Sequence, residues 1–169
     1  MRLVITGVPG TGKTSVAEIL SERTGYPLIT TGDVVKDKYV DTRKLRLKTI
    51  WKTKDMGDVV IEGHLFCEVK LPADLVIVLR THPEELKRRL EARGYPEKKI
   101  RENVLAEILD YCIVKAEQKY DDVWQVDTTG RTPLETAKRI LSALERGVDI
   151  YDRVDWSHVL EDWLRKGYI

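Results

Sequence analysis

Gly7-Val8-Pro9-Gly10-Thr11-Gly12-Lys13-Thr14 follows directly on the apolar run Leu3-Val4-Ile5. The stretch fits G-x-x-x-x-G-K-[ST], a phosphate-binding loop set between a strand and a helix. Its glycines let backbone amides turn inward around phosphate oxygens, an approach that bulkier residues block. Lys13 is long enough to reach β- and γ-phosphates, and the Thr14 hydroxyl suits Mg²⁺. The helix that follows aims its positive end at the same phosphates. A glycine-rich turn that binds nothing has no need of the full spacing with both flanking elements. The stretch therefore predicts a nucleoside triphosphate site built from Gly10, Thr11, Gly12, Lys13, Thr14 and Ser15.

Working outward, strands and helices alternate. Apolar runs at 3–6, 27–30, 59–62, 75–79 and 123–126 read as five strands, several of them continuous in the manner of buried parallel sheets. A helix is expected over 13–24, with Val16, Ala17, Ile19 and Leu20 on one face and Gly25 closing it. Thr81 with Glu84 forms a capping-box pattern for a helix to about residue 93. One long helix is expected over 96–120. Thr132, Pro133 and Glu135 open another to about residue 145. The alternation predicts an α/β fold, a P-loop NTPase three-layer sandwich: a five-stranded parallel sheet with helices on both faces.

Composition narrows the function. The 169 residues suit one domain, and 29 Lys plus Arg stand against 28 Asp plus Glu, so no global charge draws the chain to nucleic acid or membrane. No apolar run reaches bilayer-spanning length, and the chain enters its first strand at once, so the expected compartment is the cytoplasm. Cys67 and Cys112 fit neither a metal cluster nor a disulfide framework and read as two buried reduced thiols. A third of the residues are charged, and Asn103, Gln118 and Gln125 are the only side-chain amides, which suggests a thermophilic source. An Asn-Lys-x-Asp guanine signature is absent, since Asn103 precedes Val104, and this argues against a GTPase.

Thr30-Thr31-Gly32-Asp33, at the end of the second strand, resembles the Ser/Thr-Thr-Gly-Asp segment of adenylate kinases. A plain turn capped by Asp33 has the same local sequence. Ile61-Glu62-Gly63-His64 and the later "RLEARGYPEKKI" resemble one branch of that superfamily: the small adenylate kinases linked to ribosome assembly, comprising the eukaryotic nuclear coilin-interacting adenylate kinase and its archaeal relatives. The likeness covers about residues 1–145. It implies a single domain, with a monophosphate-binding region at about 31–54 and a short lid at about 92–102; the segment 148–169, beyond the likeness, reads from its own spacing as a helical extension of the same 1–169 domain. The likeness implies phosphoryl transfer from ATP to nucleoside monophosphates with Mg²⁺, and a slow ATPase. It further implies a role in late small-subunit and rRNA maturation, beside a small-subunit platform ribosomal protein. The rival is an ATP-gated assembly factor whose kinase activity is incidental. A shikimate-type kinase shares the sheet and loop but would need an acidic-plus-arginine acceptor pattern that is incomplete here.

The same resemblance assigns roles. Thr31, Gly32, Asp33 and Lys36 fall to the monophosphate, with Asp33 also arranging water on Mg²⁺. Arg93 matches the arginine that closes over the nucleotide, and a cation ending its helix would look alike. Arg89 is a weaker candidate or a solvated helix residue. Arg131 joins the ATP-binding set. Glu62 stands where relatives usually carry aspartate, within reach of a metal-bound water. His64 either orients water for hydrolysis or is structural. Lys36, Lys38, Arg43, Lys44, Arg46, Lys48, Lys52 and Lys54 face only Asp37 and Asp41, an excess of six positive charges. They suit the acceptor phosphate, ribosomal RNA or a solvated face. Trp156, Val159, Leu160, Trp163 and Leu164 keep helical spacing behind Asp155, for packing on the body or for a partner. A monomer or weak homodimer is expected.

Overall fold

The computed structural model describes residues 1–37 and 39–169, so Lys38 of the basic segment lies outside the described residues. Five strands, β1 (Arg2–Thr6), β2 (Leu28–Thr30), β3 (Val59–Glu62), β4 (Leu75–Arg80) and β5 (Val123–Asp127), form one sheet in the order β2-β3-β1-β4-β5. Every pairing is parallel; Ile5 of central β1 stands opposite Glu62 on one side and Ile77 on the other. Alternate β1 side chains enter different cores, as the two-residue period of a strand requires. Leu3 and Ile5 pack with α1 (Lys13–Thr24) and α7 (Pro133–Arg146). Val4 faces α4 (Pro83–Ala92), α5 (Glu97–Ile108), α6 (Tyr111–Lys119) and α8 (Ser157–Arg165). The three-layer sandwich expected from the sequence is the fold observed.

Between β2 and β3 lie a single turn, α2 (Thr31–Val34), and the helix α3 (Thr42–Thr53). The buried side of α3 is Leu45, Thr49 and Thr53, one residue per turn. Both threonine hydroxyls bond the carbonyl four residues back, Thr49 to Leu45 at 2.7 Å and Thr53 to Thr49 at 2.9 Å. Self-satisfied hydroxyls let polar residues line a core face.

Three local expectations need correction. The stretch 96–120 is two helices, because Asp110 takes a left-handed conformation at φ 58°. There its carboxylate meets Arg80, whose guanidinium is 1% exposed and bonds Glu107 Oε1 at 2.8 Å, Gln125 Oε1 at 2.6 Å and Asp110 Oδ1 at 2.5 Å. The Thr81–Glu84 capping box is not formed. His82 Nδ1 accepts from the Glu84 amide at 3.2 Å, while Thr81 donates its own amide to Glu107 Oε1 at 3.1 Å. In α8 the stripe packs on the body through Trp156, Val159 and Trp163, but Leu164 is 57% exposed. Asp155 accepts from the Ser157 amide at 2.9 Å, and Trp156 Nε1 reaches Glu107 Oε1 at 3.2 Å.

Removing one partner of such a buried pair strands the other charge. Glu107→Ala should therefore destabilise the fold by about 3–5 kcal/mol, read from the urea midpoint at constant slope. A loss below about 1 kcal/mol would show that Arg80 is held elsewhere.

Candidate functional site

The loop between β1 and α1 turns on glycines that no other residue replaces without strain. Gly10 and Gly12 have φ of 94° and 90°, and a Cβ on Gly10 would lie 2.8 Å from Leu86 Cδ1. Gly12 caps α1, so the first turn of that helix faces the loop's hollow. Lys13 is 8% exposed, and its ammonium donates to the Val8 carbonyl at 3.1 Å. Burial pushes its pKa down, with Glu62 opposing. The Thr11 hydroxyl also donates to the Val8 carbonyl, at 2.8 Å.

Two cavities flank this loop. One, of about 240 Å³, is walled by Gly10, Gly12, Ser15, Arg89, Thr128 and Arg131, among others. The second, of about 380 Å³, is walled by Lys13, Thr14, Thr31, Gly32, Glu62 and His64, together with Tyr95. Arg93 lines both. It sits at the C-cap of α4, its amide bonded to the Arg89 and Leu90 carbonyls, so the helix-end position and the place over the loop belong to the same residue.

The second cavity gathers residues from the ends of β2 and β3 and from the loop after β1. Glu62 ends β3, is 7% exposed, and has its carboxyl pushed up by burial, against Lys13. The Thr31 hydroxyl donates to the Glu62 carbonyl at 3.4 Å. Gly63 has no room for a side chain, since a Cβ there would collide with Thr31 Oγ1 and the Phe66 ring. His64 opens a 3-10 turn, His64–Cys67, and its carbonyl accepts from Thr6 Oγ1 at 3.2 Å. Although the ring has an open edge to solvent, desolvation first and Lys13 second both lower its pKa. It is the neutral imidazole, able to accept a proton at neutral pH.

Not every expected residue converges. Asp33 does not line the second cavity; its Oδ2 accepts from the Thr30 amide at 2.8 Å and the Thr30 hydroxyl at 2.9 Å, closing the capping box of α2. Those bonds hold its carboxyl below the ordinary range. Lys36 is exposed and borders neither cavity. The basic segment is partly spent within the fold: Lys44 pairs with Asp37 at 3.3 Å, Arg46 Nε donates to the Lys70 carbonyl at 2.7 Å, and Lys54 lies 3.8 Å above the Trp51 ring.

Arg131 lines the first cavity while its Nη1 donates to the Asp127 carbonyl at 2.6 Å. Arg89 is no solvated residue. It pairs with Glu85, donates to the Gly10 carbonyl at 3.3 Å and reaches Thr81 Oγ1 at 3.4 Å, pinning α4 to the loop. Tyr95 and Thr128 are wall residues that pattern reading passes over. Tyr95 had a signal, since it follows Arg93-Gly94 in the lid; Thr128 had none.

Among the described residues no group of three or more His, Cys, Asp or Glu could hold a metal alone. Mg²⁺ needs few protein oxygens when phosphates supply the rest. The Thr14 hydroxyl and Glu62 carboxylate on one wall fit that requirement.

Comparison with known proteins agrees with this geometry. A family model described as an AAA domain matches residues 3–110. A "Putative adenylate kinase" of Thermococcus gammatolerans is 38% identical over 175 residues, covering 96% of each chain. One of Pyrococcus furiosus is 38% identical over 180 residues, covering 99% of each. Among solved structures, a deoxyadenosine kinase from M. mycoides with bound dATP has a TM-score of 0.64 at 16% identity, covering 86% of this chain and 100% of that one, a likeness of fold alone. With a relative this similar along nearly its whole length, the chain belongs to the same family as these archaeal adenylate kinase relatives.

Proposed function

We propose that the chain is a broad-specificity nucleoside monophosphate kinase of the ATP + AMP to 2 ADP type, with a slow ATPase activity. The observation that carries this reading is Arg93, a wall of both cavities on either side of one phosphate loop. A phosphoryl group passing between two nucleotides must cross that boundary, and a guanidinium there offsets charge on oxygens of donor and acceptor together.

In this reading the amides from Gly10 to Ser15 hold the triphosphate, with Arg131 on the base side. Lys13 leaves the Val8 carbonyl for the β/γ oxygens. Thr31 and Gly32 border the incoming monophosphate, and Asp33 holds their turn by its bonds to Thr30. Mg²⁺, when bound, would neutralise phosphate charge and orient the oxygens, with Thr14 and Glu62 holding it directly or through water. With the acceptor cavity empty of monophosphate, neutral His64 orients a water in its place. Catalysis is positioning and charge neutralisation, so few groups must titrate.

The family resemblance supports a role in late small-subunit maturation, with a platform ribosomal protein as partner and rRNA as a contact. The exposed cations and Trp51 of α3 favour the rival, an assembly factor gated by ATP. A coupled assay with ATP against a panel of monophosphates, run beside ATP alone and ATP with small-subunit ribosomal proteins, decides between them. Transfer to a monophosphate far above hydrolysis supports the kinase; turnover that rises only with ribosomal protein supports the factor.

Two variants test the site. Lys13→Ala should abolish transfer and hydrolysis together, and Arg93→Ala should lower kcat about 10²–10³-fold with the thermal transition unchanged. A rate for either variant within about tenfold of wild type would remove that residue from the mechanism.

His64→Ala should reduce hydrolysis more than transfer, since a monophosphate supplies its own nucleophile. Because the His64 pKa is lowered, wild-type hydrolysis should hold as pH falls to the ordinary imidazole value of 6.5 and drop only below it. Equal losses in both rates, or an acid limb above 6.5, would make His64 structural.

A further inference from the structure

Cys67 and Cys112 stand 45 residues apart in sequence, yet their sulfurs are 3.5 Å apart in the core. The two buried, reduced thiols expected from the sequence are thus also a contacting pair. Both are free and buried, 1% and 5% exposed. Cys67 ends the 3-10 turn that His64 begins, and its Sγ lies 3.3 Å from the His64 carbonyl, which the Thr6 hydroxyl also approaches. Cys112 is in the first turn of α6, directly against that 3-10 turn.

We propose that Cys67 and Cys112 are a redox-modification site, closing under peroxide to an intramolecular disulfide that ties the His64 turn to α6. The sulfurs must approach from 3.5 Å to a bond of about 2 Å. β1 and β3, beside the site, are each laddered on both sides and resist such a movement. The four-residue 3-10 turn has two backbone bonds of its own, Phe66 to Gly63 at 3.4 Å and Glu68 to Leu65 at 3.0 Å, so the turn yields rather than β3.

The two thiols are not equivalent. Cys112 beside it favours the thiolate of Cys67 and lowers its pKa, whereas Cys67 and burial push Cys112 up. With Cys112 Sγ 3.5 Å away to donate its S–H to a Cys67 thiolate, Cys67 takes the attack on peroxide in this scheme. Its thiolate takes one peroxide oxygen, becoming a sulfenic acid and releasing hydroxide. Cys112 then attacks the Cys67 sulfur, the S–O bond breaks, and the hydroxyl leaves with the Cys112 proton as water. Overall, two thiols and one H₂O₂ give one disulfide and two waters. Oxidation also removes the Cys67 S–H from the His64 carbonyl, so the turn bearing His64 changes its bonding.

The experiment exposes the full chain to hydrogen peroxide and reads intact mass, free thiols and ATP hydrolysis before and after dithiothreitol. Expected are a loss of two hydrogens, disappearance of both thiols, a Cys67–Cys112 peptide on digestion, and hydrolysis changed at least threefold and restored by reductant. Cys112→Ala should form no disulfide and should stop at Cys67 sulfenic or sulfinic acid, with basal hydrolysis kept. Retention of both thiols, or oxygen addition without a crosslink in wild type, overturns the site. A disulfide that leaves hydrolysis unchanged overturns the link to the His64 turn. That link rests on the proposed function, while the crosslink is read by mass alone, so a chain without measurable turnover still tests the pair.

Discussion

A guanidinium shut away from water must find an acceptor for nearly every proton, and Arg80 finds them on elements that otherwise have little reason to meet. Its nitrogens reach Glu107 in α5, Gln125 in β5 and Asp110 at the start of α6. Glu107 Oε1 in turn accepts from the Thr81 amide and from Trp156 ahead of α8. Glu107 and Asp110 keep Arg80 charged against the penalty of burial, and without Glu107 the buried guanidinium would keep only the half-exposed Asp110 carboxylate as its counter-charge. The break at Asp110, the docking of the C-terminal helix and the end of β4 are consequences of one buried ion pair.

That node sits one residue away from the phosphate loop's own support. The Arg80 carbonyl accepts from Thr128 at its amide, 2.8 Å, and at its hydroxyl, 2.9 Å. The Thr128 hydroxyl touches Thr81 Oγ1 at 2.7 Å, and Arg89 reaches from Thr81 to the Gly10 carbonyl. A continuous polar path therefore runs from the core charge to the loop that turns around Gly10. Satisfied networks of this kind rigidify what they join, which a site working by positioning requires. On the opposite side of the loop, Lys13, Glu62 and His64 are crowded together. Desolvation lowers Lys13, raises Glu62 and lowers His64, so each is shifted toward its neutral form.

The cysteines sit on the border between these regions, behind the turn that carries His64. Their contact links the chemistry of a buried thiol pair to the strand end where Glu62 lies. The segment proposed as a lid is correspondingly slight: α4 ends at Ala92 with Arg93 as its C-cap, and α5 begins at Glu97.

By itself the sequence determined the sheet and the phosphate loop. Short continuous apolar runs alternating with helical periods read as buried parallel strands, and a Gly-x-x-x-x-Gly-Lys-Thr turn between strand and helix reads as a phosphate loop. Lys13 and Thr14 were expected from the loop itself and Glu62, His64 and Arg93 from the family resemblance, and all five line one cavity. Helix α3 was not, since its buried face is two threonines and one leucine and has no apolar period to read. The halving of 96–120 and the role of Arg89 depend on partners 8 to 79 residues away or on backbone angles that no local pattern encodes, whereas the turn held by Asp33 closes on Thr30 only three residues back. Only the tertiary structure brought Cys67 to Cys112 and Arg80 to Glu107. Such pairs form because the parallel crossovers bring distant segments to one sheet face, where buried charge and sulfur must satisfy whatever they meet.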